Sequence, residues 1–379
     1  MKSSKIFISA ILALAVVFSA GCMKTVGPGS SAPAVSAVET TAETETLPSF
    51  TAAQKAAAVI DMADGDTKAT ITGDQYLAYL YANFYQLAQP DGAAAQGQTQ
   101  FTYQGQTYDF ETYLKLISQD AIIRAQAVNW LLAKYHVTLP ADQVQTIESN
   151  VAAVTDDQLA QAGCSRGSYS KMQINSQLGE KALFNGAYSP GGPLAATDSE
   201  LITYLNGKVI RYKQIEYTFS TMSSTQQEST LGLLETYKGY YEDEKDFDKL
   251  IAFDKESGVN YGSYQYTPDP QVDNDIVIWD GDTPETALLG ILQSMQIGEA
   301  KVTTYTNAAG NLTGVLLLRL DPAHDEPPAQ YVSENRDEIL YYDKMPAYTK
   351  MVEDYISGLT VTRHQDALDA LSPTAFNPP

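Results

Sequence analysis

Two stretches with strand-like patterning, Val209–Phe219 and Gly314–Leu320, bracket the middle of the chain. The first alternates between apolar and polar residues, as a strand does when its faces have different environments. Between them lie an acidic helical segment, the short run Asp246–Leu250, a loop punctuated by Gly and Pro, and a short helix ending at Ile297-Gly298-Glu299. That order predicts a small α+β domain over residues 208–322.

Ahead of it the pattern changes to mostly helical periodicity. Ala57–Met62 and Lys68–Ile71 read as two short strands around the turn Ala63-Asp64-Gly65-Asp66. Thr72 caps a helix whose residues Tyr76, Leu77, Leu80, Tyr81 and Phe84 share one face. After a loop to Gln100 and a turn at Gln104-Gly105, Leu114, Ile117, Ala121, Ala125, Val128, Leu132 and Tyr135 form the apolar stripe of a long helix. Further helices start at Leu139–Asp142, at Thr155 and at Ser165, and Thr197-Asp198-Ser199-Glu200 is a capping box. Residues 56–207 therefore read as a helical domain. Beyond the α+β domain, residues 323–379 read as a linker and a long helix with Ile339, Tyr342, Met345, Tyr348, Val352, Tyr355 and Ile356 on its buried face. Pro346 should kink that helix or mark a boundary. Leu359–Thr362 reads as a brief strand and Ser372–Pro379 as a frayed end.

The N-terminus adds a location. Lys2 and Lys5 precede an apolar run from Ile6 to Phe18 and then Ser19-Ala20-Gly21-Cys22. A basic start, a short apolar core and small residues before a cysteine form a secretory signal, here of the bacterial lipoprotein type with Cys22 as the lipidated residue. Residues 1–22 are thus a signal and anchor. Residues 23–55, rich in Ser, Thr, Ala, Pro and Glu, read as a disordered tether. The chain is expected at the extracytoplasmic face of a bacterial membrane, held by lipid.

Charge narrows the partners. With 24 basic against 46 acidic residues, the formal net charge is -22. No basic footprint exists to neutralise phosphates, which excludes nucleic acid. Cys164 is the only thiol besides Cys22, and no histidine lies near it in sequence, so it reads as a structural cysteine. The aspartate groups Asp61, Asp64, Asp66 and Asp269, Asp273, Asp275, Asp280, Asp282 lack the spacing of a calcium loop. Neither a Gly-rich phosphate loop nor a nucleophile elbow is present. No metal or cofactor is expected.

The order of these parts resembles the PrsA-type foldase lipoproteins and the related chaperone SurA. The resemblance rests on the lipoprotein signal, His136–Asp142, Gly163–Leu183 and Thr197–Leu201. Within residues 208–322 it rests on Asp246–Ile251, Gly258–Tyr264, Gly314 and, most clearly, Ile297-Gly298-Glu299 followed by Val302. It implies an α+β multidomain fold. A mostly helical SurA/PrsA-like chaperone domain, built from the N-terminal segment plus the C-terminal helix, would carry an inserted parvulin-like domain.

Parvulin-type peptidyl-prolyl isomerases carry two histidines at the centre of the site, on the first and last strands. Here those positions fall on Gln214 and Leu316. The positions matching the parvulin site are Gln214, Tyr264 and Leu316, and the resemblance implies substrate contact by Tyr212, Tyr261 and Tyr264. The reading is a membrane-anchored chaperone or foldase that binds unfolded secreted polypeptides, its isomerase activity reduced or lost. Two alternatives stay open, an active parvulin-type isomerase and a solute- or polysaccharide-binding surface lipoprotein. The latter predicts two α/β lobes with alternating strands and helices.

Overall fold

The computed structural model describes residues 50–88, 97–250, 271–278, 286–323 and 326–376. The signal and lipidation residue Cys22, the tether up to residue 49, and the site residues Tyr261 and Tyr264 lie outside the described residues. The chain forms two compact units, one of residues up to Leu194 together with Ala347–Pro379, the other of Ala195–Pro346.

The first unit starts with α1 (Ala52–Ala56), capped by the reciprocal Thr51–Gln54 box. Strands β1 (Ala58–Asp64) and β2 (Thr67–Thr72) form the anticipated hairpin, turning at Gly65 with φ +58°. Helix α2 (Gly73–Ala88) buries Tyr76, Leu77, Ala78, Tyr79, Leu80, Tyr81 and Phe84, so it is enclosed on more than the one face its stripe predicts. A second hairpin, β3 (Gln100–Tyr103) and β4 (Gln106–Asp109), turns on positive φ at Gln104 and Gly105.

Asp109 then accepts the Thr112 N–H at 2.7 Å and opens α3 (Phe110–Lys134). This helix buries Leu114, Ile122, Ile123, Ala127, Val128, Leu131 and Leu132, with Ser118 and Gln119. The predicted stripe holds at Leu114, Val128 and Leu132. Ile117, Ala121, Ala125 and Tyr135 are only half-buried, because α3 packs on α2 along one side and on later helices along another.

Those later helices are α4 (Ala141–Ala152), α5 (Asp156–Ala162), α6 (Arg166–Ile174) and α7 (Glu180–Tyr188). Thr155 and Ser165 cap α5 and α6, as their positions predict. One π-helical turn, Asn175–Gly179, joins α6 to α7 without a break.

The second unit runs α8 (Asp198–Lys208), β5 (Ile210–Thr218), α9 (Ser224–Glu244), β6 (Gln271–Ile278), α10 (Thr286–Ser294), β7 (Ala300–Thr306), β8 (Leu312–Leu320) and α11 (Pro328–Glu334). Its four strands pair antiparallel in the order β6-β5-β8-β7. Strand β6 falls where the sequence suggests only a loop, since Asp273, Asn274 and Asp275 interrupt its apolar pattern. The unit also starts earlier and ends later than residues 208–322. The cause is local: Arg336 donates to the Ala196 carbonyl at 2.6 Å and pairs with Asp198, which ties α8 and the start of the next helix to this unit.

That helix, α12 (Arg336–Gly358), runs through Pro346 without ending, and the division between the units falls just after the proline. The residues that follow belong to the first unit. Tyr348 donates to Glu180 Oε2 at 3.0 Å, and the same carboxylate takes both Nε and Nη2 of Arg124. Strand β9 (Thr360–Arg363) pairs with β1, giving the order β2-β1-β9. Asp61 on β1 adds contacts to Thr70 at 2.6 Å and to His364 at 2.8 Å.

After α13 (Gln365–Asp369) comes a 3-10 turn, Pro373–Ala375. Of the end that reads as frayed from sequence, residues 372–376 are described, and they pack in place. Phe376 is 4% exposed and meets Phe50, Tyr81 and Phe84 with ring centroids 5.8, 5.3 and 5.4 Å apart.

Phe376→Ala is expected to cost the first unit about 3 kcal/mol, read as a lower urea midpoint; an unchanged midpoint would show a passive tail. Glu180→Ala, which strands the Arg124 guanidinium, is expected to cost about 2 kcal/mol. Tyr348→Phe is expected to cost about 1 kcal/mol. Equal losses in the two Glu180-node variants would contradict that ranking.

Candidate functional site

The sheet of the second unit is covered on both faces, and the ladder decides which residues belong to which. Ile215, Tyr217, Leu316 and Leu318 point to one side and pack with Leu234, Tyr237 and Tyr241 of α9, together with Phe247 and Leu250. Ile210, Tyr212, Val315 and Leu317 point to the other and pack with Leu288 and Leu292 of α10, Met295 and Tyr305. Period-two alternation along β5 and β8 produces this sorting.

Gln214 lies on the α10 side with Tyr212. Directly paired residues of an antiparallel ladder share a face, and Gln214 pairs with Leu317. Leu316 pairs with Ile215 and is fully buried on the opposite side. The structure therefore brings Gln214 and Tyr212 together and separates Leu316 from them. The residue across from Gln214 is Leu317. A shift of one position exchanges every side chain between faces.

Three further residues on this face carry polar chemistry that the sequence left unmarked. Glu216, two residues beyond Gln214, accepts the Tyr305 hydroxyl at 2.7 Å and faces Gln214 Nε2 at 3.4 Å. Tyr305 comes from β7, where it pairs with Thr313 of β8. Arg319 pairs with Tyr212 and stands diagonal to Gln214 across the β5–β8 ladder. Burial holds the Arg319 guanidinium below its ordinary pKa. Period-two spacing from Gln214 was enough to flag Glu216. Tyr305 and Arg319 become visible only once the register is known.

At its centre the face combines an amide, a carboxylate bonded to a phenol, a guanidinium, and the apolar surfaces of Tyr212, Val315 and Leu317. Neither member of the central pair, Gln214 and Leu317, titrates. Such an arrangement can exchange hydrogen bonds with a ligand but offers no proton-transfer couple at the pair itself.

The first unit carries an open groove of about 360 Å³ lined by Val137, Pro140, Leu178, Ala182 and Gly186, with Gln143, Lys181 and Asn185 among its polar residues. Its cysteine, Cys164, is buried, and loss of solvation followed by the nearby Asp74 charge pushes the thiol up to about 12. Among the described residues no group of three or more His, Cys, Asp or Glu is arranged to hold a metal ion. Asp61 and Asp64 are bonded instead to Thr70, His364 and Tyr355. No helix among the described residues is long and apolar enough to cross a membrane.

No family model matches this chain, and no curated protein matches it. Among solved structures, it is similar to the foldase protein PrsA from Lactococcus lactis, at 14% identity over 82% of this chain and 96% of that one. The TM-score of that match is 0.32, and the likeness extends to neither an activity nor a site residue.

A thiol-exchange reagent at pH 8 is expected to leave folded protein carrying Cys22→Ser unmodified, and to label Cys164 once denaturant is added. Rapid labelling of the native state would contradict the buried, protonated thiol.

Proposed function

We propose that this protein is a membrane-anchored, extracytoplasmic chaperone or foldase that binds unfolded secreted polypeptides, with peptidyl-prolyl isomerase activity reduced or lost. The observation that carries this reading is the centre of the second unit's sheet. Its four antiparallel strands bear Gln214 on the first strand and Leu317 across from it on the last. The resemblance to parvulins implies histidines at Gln214 and Leu316; Leu316 lies on the opposite face from Gln214, and neither side chain is an imidazole.

Prolyl isomerisation breaks no bond. Its barrier of about 18–20 kcal/mol comes from amide resonance, so an enzyme must favour the twisted amide over the planar one. A leucine at the centre supplies no hydrogen bond toward that end, which supports holding over turning. Lipidation at Cys22 would keep the protein beside chains emerging from the membrane. The antiparallel pairing of every described sheet disfavours the alternating α/β lobes of a solute-binding lipoprotein.

The secreted chain carrying Cys22→Ser is expected to suppress aggregation of a reduced, unfolding client at near-stoichiometric ratio. It should leave the rate in a protease-coupled proline peptide assay at the uncatalysed value. Acceleration that disappears on Tyr264→Ala would establish the active isomerase instead. Failure to suppress aggregation would remove the chaperone reading.

A further inference from the structure

Both faces of the second unit's sheet are covered, but one of its edges is open. In the order β6-β5-β8-β7, β7 is a terminal strand, and among the described residues no strand pairs with its outer side. Hydrogen bonds at its two ends fix which residues face outward. Before the strand, Arg319 N–H donates to the Glu299 carbonyl at 3.0 Å; after it, Asn307 N–H donates to the Asn311 carbonyl at 2.9 Å. Bonded pairs alternate with unbonded ones along an antiparallel ladder, so Lys301, Thr303 and Tyr305 turn their main-chain groups to β8. Ala300, Val302, Thr304 and Thr306 turn theirs away from it. No described residue bonds to these outward N–H and carbonyl groups.

The strand is suited to receiving another. Its seven residues, Ala-Lys-Val-Thr-Thr-Tyr-Thr, are mostly β-branched or aromatic and include no proline or glycine. Thr304 and Thr306 are exposed. Ala300 and Val302 pair with Leu318 and Leu316 and so lie on the α9 side, where they are only half-buried at the margin of the core, as are Leu231 and Leu233 of α9. A further strand would cover them.

Charge selects the occupant. Helix α9 packs across β7 and β8 and carries Glu228, Glu235, Glu242, Asp243 and Glu244 against Lys238 alone. Glu228 and Glu235 stand three before and four after Leu231, on its side of the helix. Lys301, the one charge on β7, pairs with Leu317 and belongs to the opposite side. A second copy of the chain is disfavoured, because two bodies of charge -22 repel each other.

We propose that the outer edge of β7 accepts an extended, basic client segment as an added strand. The outward groups of Ala300, Val302, Thr304 and Thr306 bond to every second residue of the client. A client lysine or arginine on the α9 side lays its methylenes against Val302 and brings its charge to the α9 carboxylates. The assignment rests on the chaperone reading for its occupant and adds the conformation and charge in which a client is held.

The test uses the secreted chain carrying Cys22→Ser and fluorescent, end-capped peptides of the length of β7, alternating Val with Lys, Thr or Glu. The Lys peptide is expected to bind tightest and the Glu peptide weakest, about tenfold apart at low salt and converging as salt rises. N-methylation of the Val-Lys peptide, one residue at a time, should weaken binding about three- to tenfold at alternate residues and spare those between. Thr304→Pro removes one outward N–H and keeps the bonds to β8, so it should cost about tenfold in affinity with little change in thermal midpoint. Thr303→Pro removes a ladder bond instead and should lower the midpoint. Losses without the two-residue alternation, or parent-like binding by Thr304→Pro, would overturn the strand assignment. Tighter binding of the Glu peptide would overturn the charge assignment. A dimeric parent made monomeric by Thr304→Pro would show that the edge takes a second copy instead. If the chain suppresses client aggregation but fails the peptide tests, this inference fails and the chaperone reading stands. If the alternation holds but aggregation is not suppressed, the edge stands as a strand acceptor and the chaperone reading fails.

Discussion

The pairing of β5 with β8 is the constraint on which the second unit depends. These two strands are the inner pair of the four, and their register runs unbroken from Arg211–Leu320 to Thr218–Thr313. It sends Leu316 and Leu318 under α9 and Val315 and Leu317 under α10. Two packed layers follow from one set of backbone hydrogen bonds, and the polar residues are gathered by the same rule. Gln214, Glu216 and Arg319 share a side because the pleat puts them there. Gly314 shows how tight that packing is, since a Cβ there would come within 2.3 Å of the Phe219 ring.

The first unit is held by long-range closure. Its N-terminal helices and hairpins leave apolar surface that the last residues of the chain complete. Strand β9 takes the free edge of β1, Leu368 and Leu371 are fully buried, and Phe376 joins the aromatic cluster of Phe50, Tyr81 and Phe84. The polar counterpart is Glu180, which takes Arg124 from α3 and Tyr348 from α12 on one carboxylate. A charge so placed is tolerable because its partners satisfy both oxygens. The π-helical turn just before it ends at Gly179, so Glu180 opens α7 directly after the change of helical phase.

Local rules made much of this legible. Capping at Thr51, Thr155 and Thr197 involves residues three apart, and the Thr155 and Thr197 helix starts were readable from four consecutive residues. The β1–β2 hairpin was readable for the same reason. What stayed hidden depends on distant partners. Val315–Leu318 is a run of four apolar residues, so no alternation reveals which side each takes, and the register had to come from β5. The Asp-Asn-Asp stretch of β6 reads as a turn until the exposed edge of β5 recruits it. Phe376 sits in a tail too short for periodicity, and its burial is fixed by aromatic residues some three hundred positions away in sequence.

The Gln214 face carries hydrogen-bonding groups but no proton-transfer couple at Gln214 and Leu317. Glu216 is committed to Tyr305, and a guanidinium lowered by burial is still a cation rather than a proton donor in exchange. Binding that favours the ground state leaves the barrier where it was or raises it. Acceleration would need groups that engage the twisted amide more strongly than the planar one, and Leu317 across from Gln214 offers no polar atom for this. On the function proposed above, the second unit would retain an unfolded segment rather than rotate one of its prolyl bonds.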